Sequence, residues 1–157
     1  MLEKSQVIAA LIEKLESELI AADNASRDAA AYATSEESRA ESKWDTQGLE
    51  ASYLAAGQAG QAKQLANALG TLKGQASELA APRTSIQRGA LFNCKLGRMT
   101  EWFFFAPSGG GETLSVDETE VTVITADSPL AHRLLGLSAG SDFTLPNGAP
   151  GSVLTVM

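Results

Sequence analysis

The residues best suited to do chemistry are three carboxylates in one polar stretch: Glu37, Glu41 and Asp45, within Glu36-Glu37-Ser38-Arg39-Ala40-Glu41-Ser42-Lys43-Trp44-Asp45-Thr46-Gln47-Gly48. Glu41 and Asp45 are four residues apart, so on a helix both carboxylates stand on one face. Two such groups hold a divalent cation when a partner supplies the remaining oxygen ligands, since Mg²⁺ commonly takes only one or two protein carboxylates. The plainer role for Asp45, with Thr46, is to cap a following helix, and Gly48 suits a first turn. Chemistry is sparse elsewhere. There is no nucleophile paired with a base and no cluster of His or Cys, which points away from an independent enzyme. The single His132 is expected at the surface. The single Cys94, among Phe92, Leu96 and Gly97, is expected to be buried and inert. Gly109 to Gly111 lacks the spacing and the lysine of a phosphate loop, and is expected to be a flexible connection.

Two helices must position the acidic stretch. Apolar or small residues recur at three- and four-residue steps before it (Ile8, Leu11, Leu15, Ala22, Ala25, Ala29, Ala33) and after it (Ala51, Leu54, Ala62, Leu65, Leu69, Leu72, Ala76, Leu79). This is the pattern of an antiparallel two-helix hairpin over residues 1–81, with its tip at about 36–48. Pairing positions whose numbers sum to about 87 sets Leu11 against Ala76, Leu15 against Leu72, Ala22 against Leu65 and Ala33 against Leu54. Arms of about 36 residues give a rod on the order of 50 Å long. Helix two, expected over about Gln47 to Leu79, carries Gly48, Gly57, Gly60, Gly70 and Gly74. Each interior glycine costs roughly 0.5–1 kcal/mol against alanine, so packing must hold this helix.

Pro82 ends the hairpin, and residues 82–157 change to a strand period. Arg88 to Lys95, Glu101 to Ala106, Thr119 to Thr125, Gly140 to Leu145 and Gly151 to Val156 read as strands, with a hairpin turn at Pro146-Asn147-Gly148. A short helix has Ser128 as cap, Pro129 in its first turn, Leu130, Leu134 and Leu135 on its buried side, and Gly136 as its end. The expected fold class is therefore α+β, a helical hairpin followed by a small antiparallel β domain with one short helix.

The net charge is −7 over 157 residues, with scattered basic residues, which argues against a dedicated nucleic-acid binder. Residues 1–81 carry 12 acids and 7 bases, against 7 and 5 in residues 82–157. The rod thus suits a basic groove or channel on a partner protein. No apolar run is long enough to span a bilayer, and the first residues lack the order of a signal peptide, so the expected location is cytoplasmic.

The run Ile124-Thr125-Ala126-Asp127-Ser128-Pro129-Leu130-Ala131-His132-Arg133-Leu134-Leu135-Gly136-Leu137, with Gly140-Ser141-Asp142 and Leu145-Pro146-Asn147-Gly148 after it, resembles the C-terminal domain of the bacterial transcript-cleavage factors GreA and GreB. That family also orders a long coiled-coil hairpin before a small FKBP-like β domain. The resemblance covers the whole chain in architecture and about 25 residues in motif. It implies that the β domain docks on RNA polymerase through Ser128, Pro129, Leu130, Arg133 and Gly136. The rod would enter the secondary channel, and the tip acids would help hold a Mg²⁺ shared with the polymerase, which itself cleaves backtracked RNA. RNA would be met only at its 3′ end inside that complex, with no nucleic-acid specificity of the chain's own and no membrane partner.

By the same resemblance Glu41-Ser42 stands at the family's Glu-Asn, which makes Glu41 the tip glutamate and leaves Asp45 or Glu37 to supply the second carboxylate. Ser38 stands where the family has an aspartate, and Arg39 and Lys43 flank the acids. These departures imply an alternative, a channel-entering regulator or inhibitor that does not stimulate cleavage. A protein of this architecture with another partner, such as an FKBP-like interaction module, is a further reading.

Overall fold

The computed structural model describes residues 1–39 and 47–157. Helix α1 spans Lys4–Arg39, α2 Gln47–Gly74 and α3 Ala76–Leu79. Strands β1 (Leu91–Leu96), β2 (Met99–Phe105), β3 (Thr113–Val116) and β4 (Thr119–Ile124) follow, then helix α4 (Pro129–Leu134) and strands β5 (Asp142–Thr144) and β6 (Pro150–Val156). The chain divides into two compact units, Leu15–Leu69 and the combination of Met1–Lys14 with Gly70–Met157. The change of element type at Pro82 is as the sequence indicates, while the compact units divide within both long helices.

In the unit Leu15–Leu69, α1 and α2 pack through small residues. Ala22, Ala29 and Ala33 are buried on α1, and Ala55, Gln58, Ala62 and Leu65 are half-buried on α2. The Ser26 hydroxyl donates to the Ala55 carbonyl at 3.2 Å, whereas the expected register would set Ser26 opposite Gln61. Leu54, the expected partner of Ala33, is 56% exposed. A side chain reaching the facing backbone requires close helices, and close helices admit alanine on the seam in preference to leucine. Ala55, one residue on, is the half-buried residue on the seam, and Leu54 is turned out.

The helix-two glycines are not required by packing. A Cβ built on Gly57, Gly60, Gly70 or Gly74 meets nothing within 4 Å, and none of the four has a positive φ. Gly57→Ala and Gly70→Ala are therefore each expected to stabilise the protein by about 0.5–1 kcal/mol. A raised midpoint in helical circular dichroism on heating would show this, and an unchanged or lower midpoint would refute it. The expected continuous helix two also breaks at Gln75, directly after Gly74, where φ −104 and ψ 3 separate α2 from the single turn of α3.

In the other unit the six strands run in the order β3-β4-β2-β1-β6-β5. The sheet is mixed, which corrects the antiparallel expectation: β2 and β4 pair in parallel from Trp102↔Val121 to Phe105↔Ile124, and the remaining neighbours are antiparallel. Successive strands alternate direction, but β3 lies at the sheet edge outside β4, so β2 and β4 meet with the same direction.

Strand β3 has only four residues, and its hairpin to β4 turns on Asp117 and Glu118 at φ 50 and 62. That is the left-handed geometry a two-residue hairpin needs, reached without the Asn-Gly signal present at Asn147-Gly148. Neither its length nor its turn residues mark this strand in the sequence.

The glycine-rich segment is also no loose connection. The Gly111 N–H donates to Val123 O at 2.9 Å and the Val123 N–H to Glu112 O at 2.8 Å. A Cβ on Gly110 would stand 2.9 Å from Thr125 Oγ1, so the backbone there lies directly on β4 and guides the chain to the edge.

One sheet face carries Phe92, Cys94, Phe103, Phe105, Ile124 and Val153, packed with Ile86 and with Ala131 and Leu134 of α4. The other carries Leu91, Phe104, Val121 and Val123, each at most 1% exposed. Val7, Leu11, Leu72 and Leu79 from the first turns of α1 and the helices before residue 80 are fully buried in the same unit. Two lysines tie α1 down. Lys4 Nζ donates to Ala81 O and Gly89 O at 2.6 and 2.8 Å, and Lys14 Nζ donates to Thr113 O at 2.7 Å and lies 3.4 Å from Glu112 Oε2. The second contact occupies a carbonyl of the edge strand β3, which would otherwise stand open to pairing.

Candidate functional site

Of the acidic group, Glu41 and Asp45 lie outside the described residues, and Glu37 falls in the last turn of α1. Among the described residues no three His, Cys, Asp or Glu side chains come together as a metal site. The Mg²⁺ assignment to Glu41 and Asp45 therefore carries no geometry. Flanking elements agree with the sequence at one end, since α2 begins at Gln47 with Gly48 in its first turn, whereas α1 continues through Arg39 into the stretch read as tip.

The expected docking residues are described, and the structure gathers them on α4 and its flanks. Pro129 occupies the first turn. Ser128 has the extended backbone of a cap (φ −65, ψ 133), but its hydroxyl makes no capping hydrogen bond; its carbonyl instead accepts from the His132 N–H at 3.2 Å. Leu130 is half-buried against the core, and His132 and Arg133 are exposed.

Leu135, expected on the buried side, is 63% exposed. The helix stops at Leu134, so Leu135 takes an extended conformation (φ −54, ψ 125) and Ala131 fills the inward place. Gly136 at φ 86 then turns the chain back: its N–H donates to Ile86 O at 2.8 Å, and the Ile86 N–H donates to Leu137 O at 2.7 Å. Gly136 thus ends the helix as its type suggests, and it also joins the segment to Ile86.

A cleft of about 460 Å³ lies beside the start of α4, between Leu130 and Ser128 on one side and Phe103, Gly110 and Thr122 on the other, with Asp127 at its margin. The sequence places Leu135 on the buried side of the helix and gives Asp127 no role. Leu135 is the cap of a six-residue helix and not its last turn, and Asp127 acquires a setting only when the Gly110 loop folds over Thr125.

Cys94 is fully buried, and that burial, helped by Glu101, pushes its thiol up to about 12, as an inert core cysteine requires. None of the helices among the described residues is long and apolar enough to cross a membrane.

The class defined by these elements is an α+β protein, a two-helix hairpin followed by a six-stranded mixed sheet with one short helix. No protein-family model and no curated protein matches the chain. Solved structures that resemble it include GreA factor homolog 1 (Gfh1) of Thermus thermophilus, at 18% identity and TM-score 0.36, covering 94% of this chain and 95% of that one. Gfh1 of Thermus aquaticus shows 16% identity and TM-score 0.36 over 99% and 96% of the two chains. A further structure of the transcription factor Gfh1 shows 18% identity and TM-score 0.37 over 94% and 93%. Likenesses at these scores do not establish a family for this chain.

Proposed function

We propose that this chain is an accessory factor of bacterial RNA polymerase that enters the secondary channel and promotes cleavage of backtracked RNA by the polymerase's own active centre. The observation that carries the reading is the joint order of parts: a helical hairpin whose connection holds Glu41 and Asp45, followed by a β domain presenting the Ser128–Gly136 segment at its surface. An acid-rich hairpin suits a basic channel through charge complementarity, which accelerates encounter and sets orientation. Action with polymerase would place the chain in the cytoplasm.

In this reading α4 and its flanks dock, with Arg133 as the exposed cation and Leu130 and Leu135 as apolar contacts. Glu41, with Asp45 or Glu37, would offer carboxylate oxygens to a Mg²⁺ shared with the polymerase. Such an ion lowers the pKa of bound water and stabilises charge on a phosphoryl oxygen. The chain contributes ligands and position, and the polymerase contributes the reaction.

One sequence feature favours a second reading, a channel-occupying regulator. Ser38 replaces the acid of the resembling family, and Arg39 and Lys43 partly neutralise the acids that remain.

Stalled, backtracked elongation complexes of the cognate polymerase separate the two. Wild-type protein is expected to release short 3′ RNA fragments, and Glu41→Ala to slow their release at least about tenfold, equivalent to about 1.4 kcal/mol in the barrier, with Asp45→Ala reporting on the second carboxylate. Protection of the complex from an added cleavage factor, without fragments, would establish the regulator instead. Absence of any binding to polymerase would overturn both.

A further inference from the structure

A second cavity in the β domain, of about 570 Å³, opens where β1, β6 and β5 lie side by side, and no residue of α4 or of the acidic stretch lines it. Its size is that of a small-molecule site. Strand register sets its polar groups. Lys95 pairs with Ser152 and Ser152 with Asp142, so a cation, a hydroxyl and a carboxylate stand in one row on one face of the sheet. Neighbouring strands about 4.8 Å apart put the ends of this row about 10 Å apart. Thr144 and Pro150 form the next row on that face. The Phe143 ring also borders the cavity, pressed against the bare backbone of Gly151, where a Cβ would stand 2.6 Å from its Cζ.

The charges select the occupant. Lys95 and Asp142 are exposed, and among the described residues neither they nor the hydroxyls of Ser152 and Thr144 form a side-chain hydrogen bond or an ion pair. An anion alone would face the Asp142 carboxylate and a cation alone the Lys95 ammonium, so each singly charged ligand meets a like charge. A ligand with both signs on neighbouring atoms meets neither. An ammonium and a carboxylate on one carbon, each with a charge-assisted hydrogen bond of about 2.8 Å, fill a gap of the size that separates the two side chains. Arg98, exposed in the turn after Leu96, adds a cation on the β1 side, where the carboxylate would lie. Phe143 and Pro150 supply apolar surface for the rest of the molecule.

We propose that this cavity binds a free α-amino acid with an apolar or aromatic side chain. Its carboxylate accepts from Lys95 Nζ and the Ser152 hydroxyl, its ammonium donates to Asp142, and its side chain lies on Phe143 and Pro150. The site shares no residue with the function proposed above and stands independently of it.

Amide NMR spectra of the intact, isotope-labelled chain titrated with L-phenylalanine test this. Shifts are expected to group at Lys95, Asp142 and Ser152 and to saturate with a Kd of about 1 mM or tighter. Lys95→Met and Asp142→Asn are each expected to weaken binding at least about tenfold, with the rest of the spectrum retained and the control Glu120→Gln, an exposed charge on β4, unchanged. Hydrocinnamate, which lacks the ammonium, and phenethylamine, which lacks the carboxylate, are expected to bind at least about tenfold more weakly than the amino acid. Absence of shifts at these residues would overturn the site, and equal binding of either singly charged analogue would overturn the assignment of its ligand. Equal binding of N-acetyl-phenylalanine amide would overturn it too, in favour of a polypeptide segment as the occupant.

Discussion

Phe92→Ala is expected to remove about 3–5 kcal/mol of stability, the range for deleting a fully buried aromatic side chain from a core. Phe92 is 0% exposed on β1, and its ring stacks on Phe103 with centroids 5.6 Å apart. Around it Ile86, Leu134 and Val153 are held in place by backbone pairing or by α4, so they cannot collapse into the space left behind. A loss of this size is a large part of the roughly 5–15 kcal/mol that a domain has in total. Urea unfolding followed by Trp102 fluorescence, in a Trp44→Phe background that leaves a single tryptophan, measures it in the β domain. A shift of the midpoint at constant slope is the expected outcome. A shift no larger than that of Leu154→Ala, a change at a site 44% exposed, would show that the core is not organised around this ring.

The second large effect belongs to Lys4. Its residue is only 9% exposed, and both groups that Nζ meets, the carbonyls of Ala81 and Gly89, are neutral. Lys4→Met keeps the apolar stem but strips both carbonyls of this donor, with an expected cost of about 2–3 kcal/mol at neutral pH from acceptors left bare.

The pH dependence has a definite sign. Burial, with the nearby Arg83 guanidinium, lowers the Lys4 pKa from 10.5 to about 8. Between these values the unfolded chain holds more protons than the folded one, so stability rises with pH. Cys94 works in the opposite direction. Its thiol is raised from 9.0 to about 12, so above pH 9 the unfolded chain loses protons that the folded chain keeps, and stability falls. The window from about pH 8 to 9 is therefore where Lys4 acts unopposed. Unfolding midpoints are expected to climb there in the wild type and in Cys94→Ala, and to lose that climb in Lys4→Met. A climb of equal size in Lys4→Met would assign it to other groups.

The elements most legible in the sequence were those whose signal is local. Helical spacing from Ile8 to Leu79 marked the hairpin, Pro82 marked the change of period, and Pro146-Asn147-Gly148 marked a turn in which the Ala149 N–H now donates to Asn147 Oδ1 at 3.0 Å and Gly148 has φ 89. Such features depend on residues within a few positions of each other, and the physical preferences of those residues suffice. The acidic connection was legible as a set of residue types only, since its function depends on a geometry that types do not specify.

What the sequence determined by itself was therefore the order and class of the elements and the residues available for a site. Tertiary structure decided the rest, because those choices depend on partners far along the chain. Leu54 and Ala55 satisfy helical spacing equally, and only the closeness of α1, seen in Ser26 reaching the Ala55 carbonyl, selects the alanine. Thr113–Val116 is too short to announce itself as a strand and becomes one by pairing with β4. Leu135 faces solvent because Gly136 turns back to pair with Ile86, fifty residues earlier in the chain. Lys4, one more surface lysine by composition, becomes a buried anchor only when the carbonyls of Ala81 and Gly89 are brought to it.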